Sequence, residues 1–150
     1  MPSNTYGPND NYNKLNSHFI PALIRKVHEA KKKNQTYIIL WGSGQAKREI
    51  IFVDDIADAC IFFLGKKTKK YLINIGSGKD MRVVEYASLI MKKFNCNLKI
   101  QFDKTKKDGT PRKVLDINLA KKYGWKSKIS LNEGLKIAID DYIRNHKILR

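Results

Sequence analysis

Cysteine is scarce in this chain: Cys60 and Cys96 are the only two, and they offer neither metal-ligand spacing nor a disulfide framework. No metal centre is expected. Long apolar runs are missing as well. The longest, Tyr37 to Trp41, falls far short of a bilayer span, so no membrane segment is predicted. The first residues lack the basic, apolar and small-residue series of a signal peptide, which makes the cytoplasm the expected compartment. No repeat or low-complexity tract appears. Two absences bear on chemistry. No G-x-x-G-x-x-G follows a predicted strand, and no Tyr-x-x-x-Lys pair occurs anywhere.

Acidic residues are also few, 14 against 30 lysines and arginines, which gives a net charge of +16. Such a balance raises the question of nucleic acid. The lysines, however, come in short surface runs such as Lys31-Lys32-Lys33 and Lys121-Lys122, placed where helices end or loops begin. Cations are favoured there by the helix dipole. Lysine far outnumbers arginine, whereas specific phosphate and base readers lean on arginine. Solvated lysine faces are therefore the preferred reading, and frequent Lys, Ile and Asn suggest a compositional bias of the source organism.

With 150 residues and 42% apolar content, the chain suits one compact α/β domain. Residues 1–16 read as a strand end running into a polar loop with Gly7-Pro8-Asn9 turn chemistry. A helix is predicted over about Ser17 to Lys33, with Ile20, Leu23, Ile24 and Val27 on one face and Pro21 in its first turn. Tyr37 to Trp41 reads as a buried strand, Glu49 to Val53 as a second, and Tyr71 to Ile75 and Leu98 to Phe102 as two more. Between them, a helix opening at Asp54-Asp55 is expected to bury Ala57, Cys60, Ile61 and Leu64, and another from about Arg82 to Phe94 to bury Val83, Val84, Ala87, Ile90 and Met91. Both cysteines are expected on helices in packing roles. A short helix capped by Asp116 ends at Gly124. The last helix opens on a capping box, Ser130 to Glu133, with an apolar stripe of Leu135, Ala138, Ile139, Tyr142 and Ile143. The Gly42-Ser43-Gly44 and Gly76-Ser77-Gly78 strings do not open helices and read as tight turns.

Several strings, in order along nearly the whole chain, resemble the second half of GDP-L-fucose synthases of the extended short-chain dehydrogenase/reductase group. Tyr6-Gly7-Pro8, Val53-Asp54-Asp55 and Asn74-Ile-Gly-Ser-Gly78 are common to many sugar-nucleotide enzymes of that group. Asn16-Ser-His-Phe-Ile-Pro-Ala-Leu23 and Asp108-Gly-Thr-Pro-Arg-Lys113 are more specific and decide the resemblance. It implies a C-terminal, substrate-binding portion whose N-terminal Rossmann half lies elsewhere, upstream of Met1 or on a separate chain. Residues 1–16 would form the junction. The family converts GDP-4-keto-6-deoxy-D-mannose to GDP-L-fucose by epimerising C3 and C5 and reducing C4 with NADPH. Most of the NADPH site and the Ser, Tyr, Lys and Cys of the chemistry belong to the Rossmann half. The chain alone is thus expected to be inactive, and the complete enzyme to be a homodimer. Another nucleotide-sugar epimerase or reductase of the group is the alternative; a basic RNA-binding or polyanion-binding module is a remoter one.

By pattern alone, His18 is a histidine at a helix start with a capping role. The resemblance implies that it is the proton donor of epimerisation, and imidazole suits that task because its ordinary pKa lies near working pH. His28 and His146 are expected at the surface. The resemblance further places Pro2, Ser3, Asn4, Thr5 and His18 beside the cofactor, and Lys26, Trp41, Arg48 and Asp108 on the GDP-sugar. Arg48 offers a bidentate fork to a diphosphate. Trp41 reads equally well as ordinary core, and Asp108 as a turn residue before Gly109. Three positions depart from the family. Lys26 stands for the usual arginine and loses its planar fork. Arg82 stands for a threonine helix cap, a role then expected of Asp80. Phe52 stands for a histidine.

Overall fold

The computed structural model describes residues 1–148, with side chains to 145. Its elements run β1 (Asn4–Tyr6), α1 (Phe19–Lys32), β2 (Tyr37–Trp41), β3 (Lys47–Phe52), α2 (Val53–Leu64), β4 (Asp80–Arg82), α3 (Val83–Lys93), β5 (Lys99–Asp103), β6 (Arg112–Lys113), α4 (Asn118–Lys122) and α5 (Leu131–Ile148). One sheet has the order β1-β3-β4, with β6 also on β3; β2 and β5 form a separate parallel pair. The chain divides into two compact units. The first comprises Met1–Pro8, Arg48–Asp80 and the chain from Lys113 on; the second comprises Asn9–Lys47 and Met81–Arg112.

In the second unit the apolar stripe of α1 is buried as the spacing predicts: Ile20, Leu23, Ile24, Val27 and Ala30 all lie inside, against α3 and β2. Each buried isoleucine, leucine or valine contributes about 1.5–3 kcal/mol. From α3 come Tyr86, Ala87, Ile90 and Met91. Tyr86 meets Phe19 edge to face, and the two valines at the start of α3 are only half-buried. Both helices stop in the same way. Asn34 and Asn95 take positive φ just past the C-caps, and Gln35 N and Cys96 N donate back to Ala30 O and Met91 O. Asparagine tolerates that left-handed geometry, so the stop needs no glycine. Lys31 Nζ donates to Phe94 O at 2.6 Å, one cation satisfying a carbonyl just past α3. That is a structural use of a lysine run.

The first unit centres on Ile51, Ala59, Ala120 and Trp125, with Ile56, Phe62, Phe63, Ile73 and Ile75 packed around them. Parallel pairing of β1 with β3 sets Asn4 opposite Ile50 and Tyr6 opposite Phe52. Glu133 N donates to Ser130 Oγ at 3.2 Å, one of the two bonds expected at the start of α5, whereas at α4 the N-cap is Ile117 and not the expected Asp116, which sits one residue earlier and accepts Asn118 N at 2.8 Å. Of the α5 stripe, Leu135, Ala138, Ile139 and Tyr142 are buried.

Several expectations need correction. Strand β2 is half-buried: Ile38 and Leu40 face inward, while Tyr37, Ile39 and Trp41 stay exposed, because a two-stranded sheet has only one face covered. Helix α2 turns a different side to the core from the one expected. Asp55, Ile56, Ala59, Phe62 and Phe63 pack, whereas Ala57, Cys60, Ile61 and Leu64 are exposed. Cys60 is thus a surface thiol, and Cys96 lies just beyond α3, not on it. Tyr71 to Ile75 forms no strand beyond a single bridge from Ile75 to Pro2. Asp80 lies in β4, and Glu85 serves the start of α3 by accepting Arg82 N at 2.7 Å. His28 is half-buried against the Phe94 ring, and the His146 side chain lies outside the described residues.

Candidate active site

In the second unit, α1 carries two of the expected residues. His18 is its N-cap, with extended backbone (φ −66°, ψ 167°), and it is exposed. Its side chain makes no capping hydrogen bond, while its carbonyl accepts Ala22 N at 3.0 Å and starts the helix. Local geometry thus leaves the imidazole out of the helix cap. The loop before it is shaped by its own asparagines: Asn13 N donates to Asn11 Oδ1 at 2.9 Å, Leu15 N to Asn13 Oδ1 at 2.8 Å, and Asn11 Nδ2 to Asn16 Oδ1 at 3.0 Å. Asp10 lies close enough for His18 to act on it electrostatically. Burial nonetheless raises its carboxyl above the ordinary value, against the opposing Asn11 N–H and His18.

Lys26 sits eight residues further on, roughly 12 Å along the helix axis. Its Nζ donates to Ile39 O at 2.8 Å and lies 5.5 Å from the centre of the Trp41 ring. Burial and the neighbouring Arg25 charge lower the Lys26 pKa, with Asp103 opposing. Trp41 is 62% exposed, which removes the core role that its pattern allowed. Just after it, Gly42 has φ +67°, and Ser43 N donates to Asp108 Oδ1 at 2.9 Å. A Cβ at Gly42 would collide with that carboxylate, so glycine is required twice over. Asp108 therefore clasps the turn that follows Trp41. Lys26, Trp41 and Asp108 are brought together in one unit.

In the first unit, Asn4 Nδ2 donates to Glu49 O at 2.8 Å and Thr5 Oγ1 to Ser3 O at 3.3 Å. Ser3 Oγ is buried and makes no hydrogen bond. Pro2 lies at the one bridge to Ile75, and Arg48 is half-buried on β3. Two carboxylates escaped the sequence reading. Glu49, 1% exposed, accepts Gly78 N at 2.6 Å and Leu115 N at 2.7 Å. Asp55 accepts Lys128 N at 2.8 Å and Ile129 N at 3.2 Å. Each ties distant backbone into the unit with charge-assisted bonds. Their signal was faint: acidic residues at a strand start and in a helix first turn, where solvent exposure is the usual outcome.

The NAD dependent epimerase/dehydratase family matches residues 1–76, about half of the chain. The chain belongs to that family. Among relatives, it is 43% identical over 145 residues to GDP-L-fucose synthase 1 of Arabidopsis thaliana, covering 97% of this chain and 45% of that protein. It is 39% identical over 159 residues to the GDP-L-fucose synthase of Escherichia coli K12, covering 100% of this chain and 50% of that one. A solved GDP-L-fucose synthetase from Naegleria fowleri superposes with a TM-score of 0.88 at 21% identity, over 97% of this chain and 45% of the other, which shows the fold. The chain therefore spans about half the length of the relatives it matches, and it corresponds to the C-terminal part of extended short-chain dehydrogenase/reductase enzymes. No helix among the described residues is long and apolar enough to cross a membrane.

Proposed function

We propose that this chain is the GDP-sugar-binding portion of a cytoplasmic, NADPH-dependent enzyme. The reaction is the conversion of GDP-4-keto-6-deoxy-D-mannose to GDP-L-fucose, with epimerisation at C3 and C5 followed by reduction at C4. The observation that carries this reading is His18: an exposed imidazole at the head of α1, relieved of any capping duty, on the same helix as Lys26.

Epimerisation beside a ketone needs one group to remove a proton from carbon and another to return one on the opposite face. In this reading the remover lies on the nucleotide-binding half, and His18 returns the proton. Lys26 and Arg48 neutralise the diphosphate, with the ammonium lacking the planar fork of a guanidinium. Trp41 gives the nucleotide a flat apolar wall, and Asp108 accepts hydrogen bonds from its ribose or base. NADPH, held mostly by the other half, supplies the hydride to C4 when bound. Pro2, Ser3, Asn4 and Thr5 fit a contact with it, since Ser3 Oγ is a buried hydroxyl with no partner. His18 completes that contact set. The nucleotide-binding half is a separate chain or an upstream segment, and the complete enzyme is a homodimer. An uncovered apolar surface of Met1, Ile61, Leu64, Tyr71 and Leu72 in the first unit supports a missing neighbour.

The test has two arms. The purified chain mixed with keto-sugar and NADPH should consume no NADPH; consumption would show that reduction needs no other half. Fused to the nucleotide-binding half of a relative, it should incorporate solvent deuterium at C3 and C5. The variant His18→Asn should slow that by on the order of a hundredfold to ten-thousandfold while binding of the keto-sugar stays near the parent value. Near-parent exchange in the variant would remove His18 from the chemistry.

A further inference from the structure

The second unit contains a cleft of about 400 Å³ lined by Lys26, Glu29, Tyr37, Ile39, Trp41 and Asp103, among others. Tyr37, Ile39 and Trp41 are alternate residues of β2, so their side chains stand on one face, and all are exposed. That face presents two aromatic rings and one aliphatic side chain. At its end, Trp41 and Asp103 are register partners across the parallel pair, which puts a carboxylate beside the indole on the same side of the sheet. Asp103 is held in place. Its Oδ1 accepts Thr105 N at 3.0 Å and Thr105 Oγ1 at 2.6 Å, and these bonds keep the carboxyl below its ordinary value and ionised. Both bonds fall on Oδ1, which leaves the lone pairs of Oδ2 for a ligand. The other carboxylate on the cleft, Glu29, is already paired with Arg25 at 3.8 Å. Lys26 and Lys106 lie 5.5 and 5.7 Å from the Trp41 ring centre and supply positive charge beside the wall.

We propose that Asp103 is the base-specificity residue of this chain, accepting the N1–H and N2–H donors of a guanine laid on the Trp41 face. The inference rests on the GDP-sugar reading above and deepens it. Among the common bases, guanine alone presents two adjacent donors on its pairing edge. Adenine offers an acceptor there, and uracil flanks its single donor with two carbonyl oxygens, which a carboxylate repels. Lys26 and Lys106 favour the carbonyl O6 and the diphosphate. Asp108, engaged by the Ser43 amide, is then left to the ribose.

Calorimetry on the whole chain tests this with GDP, IDP, which lacks the N2 amine, and XDP, which carries a carbonyl in its place. The parent should bind GDP roughly tenfold or more tighter than IDP, and XDP weakest, because one charge-assisted bond is lost and then replaced by repulsion. Asp103→Asn keeps an oxygen for the Thr105 bonds and should bring GDP and IDP to near-equal affinity, with inorganic pyrophosphate unchanged. A parent chain that binds IDP as tightly as GDP overturns the proposal without any variant. A GDP-over-IDP preference that survives Asp103→Asn also overturns it and leaves the GDP-sugar reading standing. A parent chain that binds no GDP at all overturns both.

Discussion

Helices α1 and α2 look alike in sequence and end differently in structure. Both carry an aliphatic stripe, yet that of α1 is sealed, with Ile24 and Val27 0% exposed, while α2 leaves Ile61 76% and Leu64 89% exposed. Helix α1 has α3 and β2 to bury against. Helix α2 gives its covered side to Asp55, Ala59 and the phenylalanine pair, and its Ile61 and Leu64 side chains stay exposed among the described residues. An apolar stripe marks a surface that gains from burial; it does not say that the burying partner lies within the same chain.

Substitutions put that contrast to the test. The largest effect is expected at Ile24→Ala, where a fully buried side chain leaves a cavity: a loss of about 2–5 kcal/mol by urea unfolding. Asp55→Ala should follow with about 1–3 kcal/mol, since two backbone N–H groups lose their acceptor. The double variant Ile61→Ser and Leu64→Ser should change stability by no more than about 0.5 kcal/mol, because these side chains have little to lose. The same variant should reduce self-association in light scattering. If it instead unfolds the chain, the stripe of α2 is core after all and the contrast collapses. Smallest is the acid response of Asp58. Hydrogen bonds from Lys128 and Trp125 hold its carboxyl below the ordinary value. A depressed folded-state pKa contributes stability above the unfolded value, lost as pH falls through the folded one. Its share should therefore fade only in acid below about pH 4, and Asp58→Asn should flatten that part of the melting profile.

Much of the fold was legible because local signals agreed with their surroundings. The stripe of α1, the Ser130 bond at the start of α5 and most of the alternation of strands with helices point one way and are found. The misreadings share a cause. The expected α2 face took aliphatic side chains as the buried ones, and a buried aspartate was the true guide, because Asp55 goes inward to meet Lys128 N and Ile129 N. Periodicity cannot register a long-range backbone partner. Strand β2 reads as buried because five apolar residues in a row do not disclose that one face serves a cleft. The site was legible to the extent that motifs carried it. Lys26, Trp41 and Asp108 were named from resemblance and do share one unit. The placement of Asp103 and Lys106 beside Trp41 was not legible because neither stands in a string with a distinctive spacing; only strand register sets Asp103 opposite Trp41.

If the cleft beside β2 and its cations serve a guanine nucleotide, the identity of the base must set affinity. Calorimetry of the purified chain with GDP and UDP, at low and at raised salt, reads this out. GDP should bind more tightly than UDP, and both should weaken as salt screens the diphosphate from Lys26 and Lys106 while the preference between them persists. Equal affinity for the two nucleotides at every salt concentration would contradict it.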